Sequence, residues 1–275
     1  LVIVSLFDRS GRIIAPWKGK GHTLITIDLG PKTYPNWKGT KHYQMNALNA
    51  DPSKILADYG GKCDVLFCFP PCTEFSVAGN AYVERKFEED PLYMRRAMDL
   101  VDVARWWATY STYWMIENPA GGKLGVLWRK PTWKFNPYQY AGYATGEANQ
   151  IFNYYRKNTG IWANFCKPEP KPINPKWKPK KIVNLDKLKS IACPLEQAKG
   201  VGLRPFDDGT FGAQRQWALK YLRSVGDEGL EGIKGFRKQR HYVSSLTPSG
   251  FAKAVYLTLT QNPLYQPNLE YYLTP

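Results

Sequence analysis

Histidine and cysteine are both scarce, at three and five in 275 residues. The three histidines are scattered, so no Cys-His pair of the protease kind can be read from the chain. Cys63, Cys68 and Cys72 are separated by four and then three residues, which matches neither the CxxC pairs of zinc sites nor a common cluster run. No metal is expected. An odd number of cysteines does not suggest a disulfide framework, and a reducing cytoplasm is the expected compartment. Cys166 and Cys193 have no readable partner and are expected to fill core. Long apolar runs are missing too. The opening "LVIVSLF" has seven residues before Asp8, against the roughly 20 that a membrane span requires. With no basic segment ahead of it, it reads as a first strand rather than a signal peptide. Acidic residues are outnumbered, 23 against 38 Lys and Arg, giving a net charge of +15. That bias points to a polyanionic partner, nucleic acid first. No internal repeat is present, and a 43% hydrophobic content argues against wholesale disorder.

Apolar runs bounded by turn residues recur along the first half: "LVIVSLF" (1–7), "HTLITIDLG" (22–30), "KHYQMNAL" (41–48) and "CDVLFCF" (63–69). They alternate with short helical stretches such as 53–60, and no hairpin turns join them. This is the pattern of a doubly wound parallel sheet. Between Pro91 and Tyr110 the period becomes helical, with Met94, Ala97, Val101, Ala104 and Ala108 on one stripe. "STYWMIENP" (111–119) returns to strand. Later, "PEPKPINPKWKPKK" (168–181) holds five prolines and five lysines. It can be neither helix nor central strand, and reads as an extended basic segment or a plain linker. Residues 211–225 read as helix and 227–240 as a Gly-rich loop. "TPSGFAKAVYLTLTQN" (247–262) reads as a helix opened by Thr247 as cap with Pro248 behind it.

Asp8, Asp28, Cys72 and Glu117 each fall at, or just after, the end of a predicted strand. Ligands of open parallel sheets bind at those carboxyl ends. Cys72, presented by two prolines, could be a small residue packed in a turn, a metal ligand or a nucleophile. As a nucleophile it needs an accessible thiolate and nearby positive charge. A carboxyl group at Glu117 could share a proton with a ring nitrogen. Cys with Glu and no paired His suits conjugate addition to a pyrimidine. The aromatic and basic residues of "WRKPTWKFNPYQY" (128–140) could stack on bases or pack beneath the sheet.

In order, "VSLFDRSG", "ITIDL", "CDVLFCFPPCTEFS" and "WMIENPAG" resemble the motifs of DNA (cytosine-5) methyltransferases. The resemblance is greatest to the compact phage-type branch, which has Glu-Asn-Pro where Glu-Asn-Val is commoner. "FNPYQYAG", "RKNTGIWANF" and "SLTPSGFAKA" are similar to later segments of that branch. The matches keep family order across residues 1–165 and again at about 241–262. The resemblance implies a Rossmann-like S-adenosylmethionine-dependent methyltransferase fold with a mostly parallel sheet and a small irregular C-terminal region. It divides the chain into a catalytic domain (1–165), a small variable region where target recognition would sit (166–240) and a closing segment (241–275).

The resemblance further implies methyl transfer from S-adenosylmethionine to carbon 5 of cytosine in DNA, with the base flipped out of its stack. Cys72 would add to C6 and Glu117 would engage N3. Arg156 or Lys157 would lie near the base or its phosphates. Phe7, Asp8, Ser10, Gly11, Asp28, Leu29, Asn46, Asp51 and Pro70 would surround the cofactor, with Asp28 on the ribose hydroxyls. Asn46 stands where an Asp is expected, with Asp51 close behind. The first motif reads Phe-Asp-Arg-Ser-Gly instead of Phe-x-Gly-x-Gly, which puts Arg9 near the cofactor loop, and Thr73 replaces the usual Gln. A donor carrying a larger group, a free cytidine nucleotide as substrate, and a catalytically silent DNA-binding relative are the alternatives. A monomer is expected.

Overall fold

The computed structural model describes residues 1–32, 37, 39–77, 82–145, 153, 155–173 and 246–261. The expected helix at 211–225, the loop at 227–240 and Cys193 lie outside them. Seven strands form one sheet: β1 (Val2–Leu6), β2 (Thr23–Asp28), β3 (Thr40–Gln44), β4 (Cys63–Cys68), β5 (Ser111–Pro119), β6 (Trp133–Phe135) and β7 (Thr159–Ala163). Their order across the sheet is β3-β2-β1-β4-β5-β7-β6. The first five strands run parallel, as their interleaved helical stretches require, because a parallel neighbour can be reached only by a crossover. β7 lies antiparallel to β5, and β6 antiparallel to β7.

The register sets up the site. Leu6 pairs with Ile27 on one side and with Cys68 on the other, and Cys68 pairs with Ile116. The four residues form one row across the sheet. One step beyond it, at the carboxyl ends of the strands, stand Asp28, Phe7, Phe69 and Glu117. The chain turns to opposite sides of β1 here, toward β2 and toward β4, and such a switch point leaves a crevice.

β1, β2 and β4 are buried on both faces, which is why they read as unbroken apolar runs. On one face Trp17 packs on Phe67, with ring centroids 5.5 Å apart. Helix α3 (Tyr93–Ala108) follows the short helices α1 (Pro52–Ile55) and α2 (Val83–Glu89) and precedes the one-turn α4 (Leu124–Leu127). It buries Ala97, Val101, Ala104 and Ala108 as its stripe predicts, together with Val103 and Trp107. The Trp107 Nε1–H donates to the Ala50 carbonyl at 2.8 Å, so the large ring is buried without leaving its polar edge unpaired. β3 ends at Gln44, short of the expected 48, because Asn46 and Asp51 cap the turns that follow. Cys166, expected in the core, is exposed; Phe165 beside it is the buried residue. No described helix is long and apolar enough to cross a membrane.

The chain forms two compact units, one from Leu1–Phe135 and Asn158–Lys167, the other from Asn136–Lys157 and the described residues between Pro168 and Gln261. In the second, a 3-10 turn at Pro137–Tyr143 packs on helix α5 (Ser249–Gln261). Phe251 meets the Tyr140 ring edge to face at 5.4 Å. Gly250 is a packing requirement, since a Cβ there would collide with the Tyr140 carbonyl. The bonds at the first turn of α5 come from Asn153, whose Oδ1 accepts from the Gly250 N–H and whose Nδ2 donates to Ser249 Oγ. The start of the Pro-Lys stretch is fastened to the same 3-10 turn. Tyr140 Oη donates to the Pro168 carbonyl, and the Lys171 N–H to that of Gln139.

Candidate active site

At the end of β1, Phe7 takes a left-handed φ of 58°, a conformation uncommon outside glycine. It turns the chain sharply while its N–H still donates to the Ile27 carbonyl at 2.8 Å. The Asp8 carboxylate then closes the loop on itself. Its Oδ1 accepts from the Ser10 N–H (3.0 Å), Ser10 Oγ (2.6 Å) and the Gly11 N–H (2.9 Å), and its Oδ2 from Ser5 Oγ (3.0 Å). Burial pushes the Asp8 pKa up, and these hydrogen bonds only partly oppose it. Asp8 thus shapes the loop with its carboxylate turned inward. Gly11, at φ 61°, completes the turn in a conformation that any side chain would disfavour.

Asp28 ends β2. Its Oδ1 accepts from the Gly30 N–H at 2.8 Å. Burial raises its pKa, while the Gly30 bond and then the charges of Arg9 and His42 pull the other way. His42, on β3, bridges the strands: Nδ1 lies 2.8 Å from Thr26 Oγ1 and Nε2 lies 3.1 Å from the Gly30 carbonyl. Leu29 is 73% exposed, an apolar surface beside the carboxylate. Asn46 is also at this edge, for the Met45 N–H donates to the Asp28 carbonyl. The Asn46 side chain caps a turn by accepting from the Leu48 N–H. Asp51 caps α1 through Ser53, which holds its carboxyl below the usual range.

Pro70 is buried and Cys72 exposed at the exit of β4. The Cys72 carbonyl accepts from the N–H groups of Phe75 and Ser76, making a tight turn. Three further ties pin this turn. Asn118 Nδ2 donates to the Pro70 carbonyl at 3.0 Å. The Lys123 N–H donates to the Phe75 carbonyl at 2.7 Å. Glu74 pairs with Lys86 of α2 at 2.5 Å. Glu117, half-buried on β5, stands next to Asn118 and one step beyond the Cys68–Ile116 pair. Gly122 sits directly under the turn, where a Cβ would come 2.5 Å from the Phe75 carbonyl oxygen.

The other described thiols of β4 are poor nucleophiles. Burial pushes Cys63 up to about 12 and Cys68 well above its usual value, so neither forms thiolate readily. Cys72, by contrast, is exposed and in no disulfide. The structure therefore places Phe7, Asp8, Ser10, Gly11, Asp28, Leu29, Asn46, Pro70, Cys72 and Glu117 along one sheet edge of the first unit. Asp51 is one turn further on. Arg156, exposed, and Lys157, half-buried, belong to the second unit. Asn118 was missed by sequence reasoning, although it lies inside the Glu-Asn-Pro motif. Its signal was an amide close behind the buried apolar run Trp114–Ile116.

The chain matches no model of a protein family. No curated protein matches it significantly. Among solved structures it is similar to the crystal structure of the Dnmt2 methyltransferase of S. pombe, with a TM-score of 0.52 over 96% of this chain and 100% of that one, at 12% identity. Together with the strand order and the reversed β7, this similarity shows that the chain has a Rossmann-like methyltransferase fold.

Proposed function

We propose that this protein transfers a methyl group from S-adenosylmethionine to carbon 5 of cytosine in DNA, in the manner of the compact phage-type enzymes. The observation that carries the reading is the register of β4 and β5, which brings an exposed cysteine on a pinned turn and a half-buried carboxyl group to the same sheet edge.

The residues at the ends of β1 and β2 fit the cofactor by their chemistry. Asp28 offers a carboxylate for ribose hydroxyls, Leu29 an exposed apolar surface for a base, and the Asp8–Gly11 turn a backbone free of a side chain at Gly11. When bound, S-adenosylmethionine supplies an electrophilic methyl group. The chain's own residues do the rest. The Cys72 thiolate forms a bond to C6 of the cytosine, and Glu117 shares a proton at N3, so that electron density flows to carbon 5. After carbon 5 has been substituted, loss of its proton to solvent returns the electron pair. That pair expels Cys72 from C6 and restores the aromatic ring. Asn118 and Lys123 hold the turn from which Cys72 acts.

A net charge of +15 supports DNA over a free nucleotide, because one phosphate needs only a local basic pocket. The test is tritium release from DNA carrying [5-³H]cytosine, with and without S-adenosylmethionine. Cofactor-dependent release is the expected result. Folded protein that binds DNA and releases nothing would overturn the reading in favour of a silent DNA-binding protein.

A further inference from the structure

The cofactor loop carries one side chain that its role does not explain. Asp8 turns inward, Ser10 and Gly11 close the turn, and Arg9 between them is directed across the end of the neighbouring strand. Its Nη1 and Cδ lie 3.2 and 3.5 Å from the point where a Cβ on Gly30 would sit, and Asp28 Oδ1 lies 3.4 Å from the same point. Arg9 and Asp28 therefore flank the bare face of Gly30. This arrangement depends on two local facts. The left-handed Phe7 swings the loop toward β2, and glycine at position 30 leaves the guanidinium room to pass.

We infer that Arg9 is a positioning residue for the nucleoside end of the cofactor, acting through Asp28, which it keeps ionised and oriented. The inference rests on the reading of this edge as a cofactor site. A carboxylate can accept hydrogen bonds from both hydroxyls of a vicinal diol only while it carries no proton. Partial burial works against that state, because desolvation disfavours the charged form. Asp28 Oδ1 accepts from the Gly30 N–H, which fixes the carboxylate plane. The charges facing Asp28 are Arg9 from the β1 loop and His42 from β3. His42 is engaged with Thr26 and the Gly30 carbonyl, and the Arg9 guanidinium lies across Gly30 from the carboxylate. The departure from the usual glycine at this place is then a local solution to a partly buried acid.

The experiment is calorimetric binding of S-adenosylhomocysteine to the full chain from pH 5 to 8, for wild type, R9A, R9K, D28N and the R9A/D28N double variant. R9A should bind about tenfold more weakly, the equivalent of one pH unit at a titrating group. Its acidic limb of affinity should move to higher pH, and R9K should recover most of the loss. In the D28N background R9A should add less than about twofold, since its partner is gone. Melting temperatures of the unliganded variants verify that each is folded. An R9A protein that binds as wild type does at every pH, or that loses the same factor with D28N present, overturns the inference alone. A folded wild type that does not bind the ligand overturns both this inference and the cofactor reading beneath it.

Discussion

Asn118 separates stability from function in one substitution. It is fully buried, its Nδ2 donates to the Pro70 carbonyl at 3.0 Å, and its Oδ1 has no hydrogen-bond partner among the described residues. Replacing it by leucine removes a hydrogen bond worth about 1 kcal/mol net and leaves the Pro70 carbonyl unsatisfied, at about 1–3 kcal/mol. The same change removes the orphaned Oδ1, which cost a similar amount, and adds apolar burial of about 1.5–3 kcal/mol. The terms nearly cancel. N118L should unfold in urea within about 1–2 kcal/mol of wild type. Turnover should nevertheless fall by about tenfold or more, because the Pro70-Pro71-Cys72 turn loses its tie to β5 and small displacements of a nucleophile are expensive. N118A makes the contrast, since it adds a cavity and should lose about 2–3 kcal/mol. Tritium release under single-turnover conditions is the assay for the first claim, and equilibrium denaturation for the second. An N118L protein with wild-type turnover would refute the idea that this bond positions Cys72. One destabilised as much as N118A would show that Asn118 is retained for stability.

Three other outcomes are expected. C72S should abolish turnover while leaving the DNA dissociation constant within about twofold, and binding should weaken steeply with added salt if many phosphates are contacted. G122A should destabilise by about 1–3 kcal/mol, because its Cβ would meet backbone at Phe75 and Pro119, at 2.5 and 3.1 Å; a melt unchanged from wild type would contradict the packing described. Asp8 has a native pKa raised above its ordinary 3.8 by burial. The stability it lends is therefore complete below about that value and declines as pH rises through the native one. The unfolding free energy of wild type relative to D8N should drop across that window, and parallel curves from pH 3 to 8 would rule out a buried, titrating Asp8.

Much of the parallel half of the sheet was legible because β1, β2 and β4 are buried on both faces and so spell unbroken apolar runs. Helix α3 was legible because Ala97, Val101, Ala104 and Ala108 recur at helical spacing. The convergence of Asp28, Cys72 and Glu117 followed from strand ends alone. Other features depend on contacts that no local pattern encodes. β6 and β7, with three and five residues, are too short to show a period. The inward turn of Asp8 depends on Ser5, Ser10 and Gly11 meeting it at once. The approach of Arg9 to Asp28 depends on one left-handed residue, Phe7, which sequence gives no reason to suspect.

The hairpin of β6 and β7 has a further consequence. The chain leaves the sheet after Phe135 and returns to it at β7, whose first residue, Thr159, pairs with Phe135. The two ends of that excursion are held one strand spacing apart, roughly 5 Å, whatever lies between them. A longer or different insert raises the closure cost only slowly with its length. The hairpin therefore works as a socket that fixes both ends of the intervening segment while the Cys72 turn and Glu117 keep their register.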